Sequence, residues 1–477
     1  MTGPQPPGPD LVVRGGAGGT EARYEDLETL ARGSDDLTRT LASVSVRCAA
    51  ILADPGVIAS AVLDPVGAAT FSALLLRALD GPDGLRAQTV EHTERAIALR
   101  TVAASYRAVD QAQAELLDDL RWTAGAMAVP AAVIAVPLLA GGAVVATGAA
   151  LANPGLATAD VAAARRLDYQ RLLTDHPGIV DNLVGAGPGL VSGLALPTGQ
   201  PGLFAGDVPA AAHLIGSFYP DGTPKVTSLG VDTRADVMKT PPSGIGDLMA
   251  GLDYRNNMVD GPDDQIDVRV ITHADGTTSY IVDVPGTKVW DPPGSFNPAL
   301  NDLGTNVHVM GDDLTARERA IADVLHRAGA SPSDPVMLVG HSQGGMVAAH
   351  AAQDTATGTF DYNVTHVVTA GSPIARFDIP DHVQVLALEN VHDITPHLDA
   401  AANPDRANVT TVEFDTQYGT VADNHSTARA YLPAARALDA SSDPSVAAYR
   451  ASAAAFLGTG SSAPTMRAQV YRLARMP

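Results

Sequence analysis

The rhythm of apolar and polar positions divides this 477-residue chain into two unlike parts. From about residue 20 to 122, apolar residues recur at three- and four-residue spacing, as in YEDLETLARGSDDLTRTLASVSVRCAAIL. Val102, Tyr106, Val109 and Leu116 fall near one helical face. Pro55 and the Gly81-Pro82 pair interrupt this pattern, so the spacing predicts an antiparallel helical unit with breaks at those points. From about residue 263 onward, short apolar runs alternate with amphipathic stretches. QIDVRVIT and SYIVDVPG read as strands joined through a turn at Asp275-Gly276, and LTARERAIADVLHRAG as an amphipathic helix ended by Gly329. PVMLVG, VTHVVTAGS and VQVLALEN read as further strands, GGMVAAHAAQD as a helix after the first of them, and STARAYLPAARALD and PSVAAYRASAAAFLG as closing helices. Runs apolar at every position suit strands covered on both faces. The alternation predicts an α/β fold, a mostly parallel sheet with helices on both faces, preceded by an all-α N-terminal region.

The intervening stretches complete the division. Residues 1–19, opening with MTGPQPPGPD, read as a disordered lead. The helical domain occupies 20–122. Residues 123–160 contain an apolar Ala/Gly-rich run, 124–152, without a charge; its length suits a membrane hairpin, whereas Pro130, Pro137 and Gly141-Gly142 also suit a buried helical pair. Residues 161–262 form a Gly/Pro-rich accessory region to which no chemistry is assigned, with VTSLGVDTR as a strand candidate. The α/β domain spans 263–460, and 461–477 is a C-terminal tail.

Composition mainly excludes. A net charge of -22 offers nothing to neutralise phosphates, so nucleic acid is not an expected partner, and charge alone would not dock the chain on anionic lipid. The single cysteine, Cys48, permits neither an intrachain disulfide nor a cysteine-based metal site. No His/Asp/Glu cluster has metal-binding spacing, and neither metal nor cofactor is expected. No secretory signal peptide is legible; membrane association or export are the expectations for localisation, with the cytoplasm as the other.

The candidate chemistry lies in Pro335 to Asp354, PVMLVGHSQGGMVAAHAAQD. Gly340-His341-Ser342-Gln343-Gly344 matches G-x-S-x-G between a buried strand and a helix, the context of a nucleophile elbow. The glycines at 340 and 344 are expected for close approach of neighbouring backbone, and Ser342 as the nucleophile. The following helix aims its N-terminal amides at the substrate oxygen, which makes the Gln343 amide an oxyanion donor. A serine needs a base and an acid to orient it. In the order Ser, acid, His, Asp393 in VHDITPHLD and His425 in DNHSTARAYL fit. His341, His350, His392 and His397 are the rival histidines; Asp399 and Asp423 are the rival acids. Pro285-Gly286-Thr287, after the early strand, is the candidate second oxyanion loop, with Thr287 offering its amide and its hydroxyl.

LVGHSQGG, VTAGSP and ENVHDITPHLD together resemble the alpha/beta-hydrolase superfamily, and class 3 lipases in particular. Across about residues 265 to 440 the resemblance implies a carboxylic ester hydrolase with Ser342 as nucleophile, Asp393 as acid and His425 as base, acting on a small-molecule or lipid ester. Gln343 stands where those lipases carry leucine, and no lid helix is obvious, so triacylglycerol specificity does not carry over. A peptidase or acyltransferase using the same triad, and a non-enzymatic interaction protein, are the alternatives. The N-terminal helices resemble actinobacterial type VII secretion substrates through Tyr106-x-x-x-Asp110, without the W-x-G turn. That resemblance implies a helical partner or the secretion machinery as a contact of residues 20–122.

Overall fold

Nine strands form one mixed sheet in the order β1-β8-β7-β6-β5-β4-β3-β9-β2. They are β1 (Leu11–Gly15), β2 (Thr223–Asp232), β3 (Asp264–Thr272), β4 (Thr278–Val284), β5 (Pro335–His341), β6 (Asn363–Ala370), β7 (Gln384–Asn390), β8 (Val409–Phe414) and β9 (Thr465–Met476). The computed structural model describes residues 9, 11–127, 169–195, 204–258, 263–458 and 464–476. Strands β4 to β8 run parallel, while β1 at one side and β3, β9 and β2 at the other join through antiparallel pairings.

The helices of the chain are α1 (Thr20–Leu52), α2 (Pro55–Leu63), α3 (Pro65–Asp80), α4 (Leu85–Met127), α5 (Tyr169–Asp175), α6 (Ile179–Ala195), α7 (Val208–Gly216), α8 (Ile245–Met258), α9 (Leu303–Met310), α10 (Ala316–Ala328), α11 (Gln343–Asp354), α12 (Val421–Asn424), α13 (Leu432–Leu438) and α14 (Pro444–Ser452). Their placement follows from the strand alternation. In β5, Val336 and Leu338 belong to one core with α10 and α11, whereas Met337 and Val339 belong to a second with α8, α13 and α14. Successive side chains point to opposite faces, so a run without a polar residue must be covered twice. Helix α10 starts in a capping box between Thr315 and Glu318 and ends at Gly329, whose φ of 92° is left-handed.

Two stretches behave otherwise than their composition predicts. Within the expected disordered lead, Leu11–Gly15 is an edge strand pairing β8; Leu11 and Val13 pack against the second core while Val12 is exposed. The expected tail contains β9, paired on both sides, to β3 and β2. Its apolar residues Ala468, Val470, Tyr471 and Leu473 are buried, but arginines at 467, 472 and 475 dilute the signal. Arg475 is itself buried in an ion pair with Asp302. The accessory region also contributes: β2 closes one edge of the sheet, and α8 covers part of the second core.

Residues Thr20–Leu116 form a separate compact unit. Within it Asp35 pairs with Arg100 at 2.6 Å and Thr38 with Thr93 at 3.5 Å, so residue numbers rise along α1 as they fall along α4 and the two helices are antiparallel. Asp54 caps α2 ahead of Pro55, and Asp64 caps α3 ahead of Pro65. The backbone of Tyr106 to Asp110 lies within α4. The uncharged run 124–152 lies outside the described residues beyond Met127. Among the described residues no single helix is long and apolar enough to cross a membrane, although α1 from Tyr24 onward and α2 pass together as a pair bent by 44°.

Candidate active site

Ser342 stands between the end of β5 and the start of α11, with φ 54° and ψ -124°. Non-glycine residues seldom adopt this backbone, and it persists only where the surroundings enforce it. Here the enforcing contacts are glycines. A Cβ on Gly340 would lie 2.3 Å from the Gly344 backbone, and one on Gly344 would lie 1.9 Å from the Val284 carbonyl oxygen. No side chain larger than hydrogen fits either position, as the elbow motif requires. Ser342 precedes the helix as its N-cap yet makes no side-chain capping bond, which leaves its hydroxyl for other work. The first amides of α11 have no acceptor inside the helix.

The acid and the imidazole are brought together from separate loops. His425 Nδ1 lies 2.6 Å from Asp393 Oδ2. Asp393 is fully buried. Burial alone would raise its carboxyl, but the charge and hydrogen bond of His425, the Tyr431 hydroxyl and the Thr395 amide hold it below the usual range. Ser342 reaches the same neighbourhood through β6: its amide donates to Ala370 O at 3.0 Å. The next residue, Gly371, has φ 58°, and a Cβ there would lie 2.7 Å from Asp393 Oδ2 and 3.0 Å from His425 Nδ1.

Each rival has another partner. His392 lies 2.7 Å from Thr174 O and 3.0 Å from Asp415, and His397 lies 2.9 Å from Asp181. Asp423 is half-buried and pairs with Arg429, and Asp399 accepts the amides of Ala375 and Ala401. His341 is stacked beside His425, ring centroids 4.4 Å apart. His350 is buried 2.5 Å from Glu318. Burial opposes its charge, but the bond to Glu318 and the nearby acids outweigh this and raise His350 to about 9. Glu318, His350 and Asp354 gather ligand atoms within 4.8 Å of one another. Glu318 also closes the α10 capping box, and His350 Nδ1 lies 2.5 Å from it, so the group ties α10 to α11.

The candidate oxyanion loop approaches the elbow closely. A Cβ on Gly286 would lie 3.0 Å from Ser342 Cβ and 3.0 Å from His341 Nδ1. The Gly286 amide donates to Asn256 Oδ1 at 3.3 Å. The Thr287 hydroxyl is paired with the Asn306 amide group at 2.9 and 3.2 Å. The Gln343 side chain is buried beneath the elbow, donating to Asp302 O and accepting from Arg317.

Tyr431, Arg317 and Asn256 are the site residues that motif reasoning passes over. Tyr431 is fully buried, and its hydroxyl donates to Asp393 Oδ2 at 2.6 Å. Its only sequence signal is an isolated tyrosine in an Ala-rich helix six positions after the candidate histidine. Tyr431→Phe is expected to lower stability by about 1.5–3 kcal/mol, the usual contribution of a hydrogen bond to a charged group, and to raise the Asp393 pKa. Thermal melts from pH 7 downward would show the loss persisting to about pH 4 and shrinking only below it, as the Asp393 carboxylate is protonated.

A further carboxyl near this loop titrates in the opposite sense. Burial, then Asp399 and Glu413, push Glu389 up to about 8. A raised folded-state pKa means that folding favours the protonated form, so the native state loses stability as pH rises from the ordinary glutamate range through about 8. Glu389→Gln keeps the neutral shape at every pH. It is expected to raise stability at pH 8.5 by roughly a few kcal/mol, seen as a higher melting temperature, and to leave it unchanged at pH 4, as measured by paired thermal melts.

Residues 301–431 match the family model described as a PGAP1-like alpha/beta domain, a hydrolase-like alpha/beta fold. The match covers well under half of the chain. It contains Ser342, Asp393, His425 and Tyr431, and it begins after Thr287. No curated protein and no solved structure matches this chain significantly.

Proposed function

We propose that this protein is a serine hydrolase that cleaves carboxylic esters through an acyl-enzyme. The observation that carries the proposal is the His425–Asp393 pair, 2.6 Å apart, packed against Gly371 just after β6, whose last residue, Ala370, accepts the amide of the strained Ser342. The PGAP1-like match supports a hydrolase. Ester chemistry and the named roles rest on the geometry and on the lipase-like motifs.

In the proposed reaction Ser342 Oγ attacks the ester carbonyl as His425 Nε2 takes its proton. Asp393 accepts the Nδ1–H bond, which fixes the imidazole tautomer and stabilises the imidazolium that forms. The oxyanion is bound by the Gln343 amide at the head of α11 and by the Thr287 amide, each contributing roughly 3 kcal/mol to the transition state. His425 then protonates the leaving alcohol, and water repeats the sequence to release the acid. Gln343 acts through its main chain only, since its side chain is engaged below the elbow. A substrate of small-molecule or lipid ester type fits this scheme.

The test is a panel of p-nitrophenyl esters and matched anilides on the full chain, with fluorophosphonate labelling located by mass spectrometry. Ester turnover with label on Ser342 is the expected result. Preferential anilide cleavage would assign a peptidase, and the absence of both label and turnover would refute the hydrolase.

A further inference from the structure

We propose that His341, the residue before the nucleophile, is a positioning residue that clamps His425 to the strand bearing Ser342. The proposal rests on the hydrolase reading above and concerns how its base is held.

The contacts specify the clamp. His341 Nε2 lies 2.8 Å from the main-chain oxygen of His425. A carbonyl oxygen only accepts, so the proton of this bond belongs to His341 Nε2. His341 is 5 % exposed. Burial first, then the neighbouring His425, bring its pKa down to about 3, so the ring is neutral and its other nitrogen carries no proton. That nitrogen, Nδ1, is buried without a hydrogen-bond partner. Such an orphan acceptor costs free energy. A carbon atom would avoid that cost, but a phenyl ring would also lose the Nε2–H donor.

Position explains why the donor matters. His425 ends the four-residue helix α12. Its loop is otherwise tied to β7 and the turn after it: Asn390 Nδ2 donates to Asn424 O at 3.0 Å, and Asp393 holds the His425 ring. Among these bonds, that of His341 is the one running to β5. Adjacent Cα atoms are about 3.8 Å apart, so a fixed His341–His425 bond and the 4.4 Å ring stack set the base in register with the nucleophile. His341 also has to remain neutral, because a second cation stacked on His425 would oppose the imidazolium formed during attack.

Two substitutions separate donor from shape. His341→Phe keeps a ring and removes the donor, whereas His341→Gln removes the ring and places an amide N–H near the former Nε2. The expected result for His341→Phe is a fall in kcat of about 100-fold, the scale of a 1 Å misplacement, with KM changed less than about twofold and Ser342 labelling slowed in parallel. His341→Gln is expected to recover kcat to within about tenfold of wild type. Circular dichroism and thermal melts establish that each variant is folded. Should His341→Phe fail to fold, His341→Gln and His341→Asn decide, because the shorter asparagine cannot reach the carbonyl and is expected to behave as donor-less. Equal losses from the donor-retaining and donor-less variants, or wild-type kcat without the donor, would overturn the clamp. If wild-type Ser342 takes no label, the hydrolase reading fails and the clamp with it. If it labels and the donor-less variant labels equally fast, the clamp alone fails.

Discussion

Ser342→Ala is expected to reduce ester turnover by about 10⁴- to 10⁶-fold and to abolish fluorophosphonate labelling while leaving the melting temperature nearly unchanged. The expectation separates chemistry from folding because the Ser342 side chain makes no capping bond to α11, so its loss removes no structural hydrogen bond. The strain at φ 54° belongs to the backbone and is borne equally by alanine. His425→Ala should cost a comparable factor, and the double variant should cost little more than either alone, since residues acting as one unit are non-additive. The measurement is kcat/KM for the two single variants and the double. Losses that multiply would mean that Ser342 and His425 act independently, and a retained label on Ser342→Ala would place the nucleophile elsewhere.

The elbow was legible in sequence because its chemistry is local. A glycine at 344 is demanded by a carbonyl only 1.9 Å from where its Cβ would be, and the five-residue motif records that demand directly. The pairing of Asp393 with His425 was legible for a different reason: the expected order of Ser, acid and His follows strand order, and each stands after a strand-like run. What local pattern could not show was how the edges of the sheet are made. β9 pairs β3 and β2 across separations from 193 residues, Thr272 to Thr465, to 253, Thr223 to Met476, and no periodicity in a segment as arginine-rich as MRAQVYRLARM announces partners so distant. Leu11–Gly15 is likewise a strand only because β8 offers an open edge. Composition alone made both ends resemble loose chain.

The polar support beneath the elbow is a second case. Arg317 sits inside an amphipathic helix where its charge reads as solvent-facing, yet it is fully buried. It donates to Asp264 Oδ1 and to the Pro285 carbonyl, both at 3.0 Å, and to the Gln343 side chain. One guanidinium therefore ties β3, the loop carrying Thr287 and the residue after the nucleophile. The planar fork of arginine suits three acceptors in different directions better than a lysine ammonium would.

Arg317→Met should show how much of the site depends on that fork. Asp264 is fully buried, and burial already pushes its carboxyl upward against the pull of Arg317. Left without the guanidinium it becomes an uncompensated buried charge, or takes up a proton. Breaking such a pair costs about 3–5 kcal/mol, which should appear as a fall in melting temperature on the order of 10 °C. The double variant Arg317→Met with Asp264→Leu removes both charges and should regain most of that stability, because a buried ion pair is often no better than apolar packing of similar volume. Activity should not return with it. Pro285 and Gln343 would still lack their shared donor, so both amides proposed to bind the oxyanion would remain loosely placed and kcat should stay about 10- to 100-fold below wild type. Thermal melts and ester kinetics on the single and double variants distinguish the two roles. Full recovery of kcat in the stable double variant would show that Arg317 supports the fold alone and that the oxyanion loop is held by other contacts.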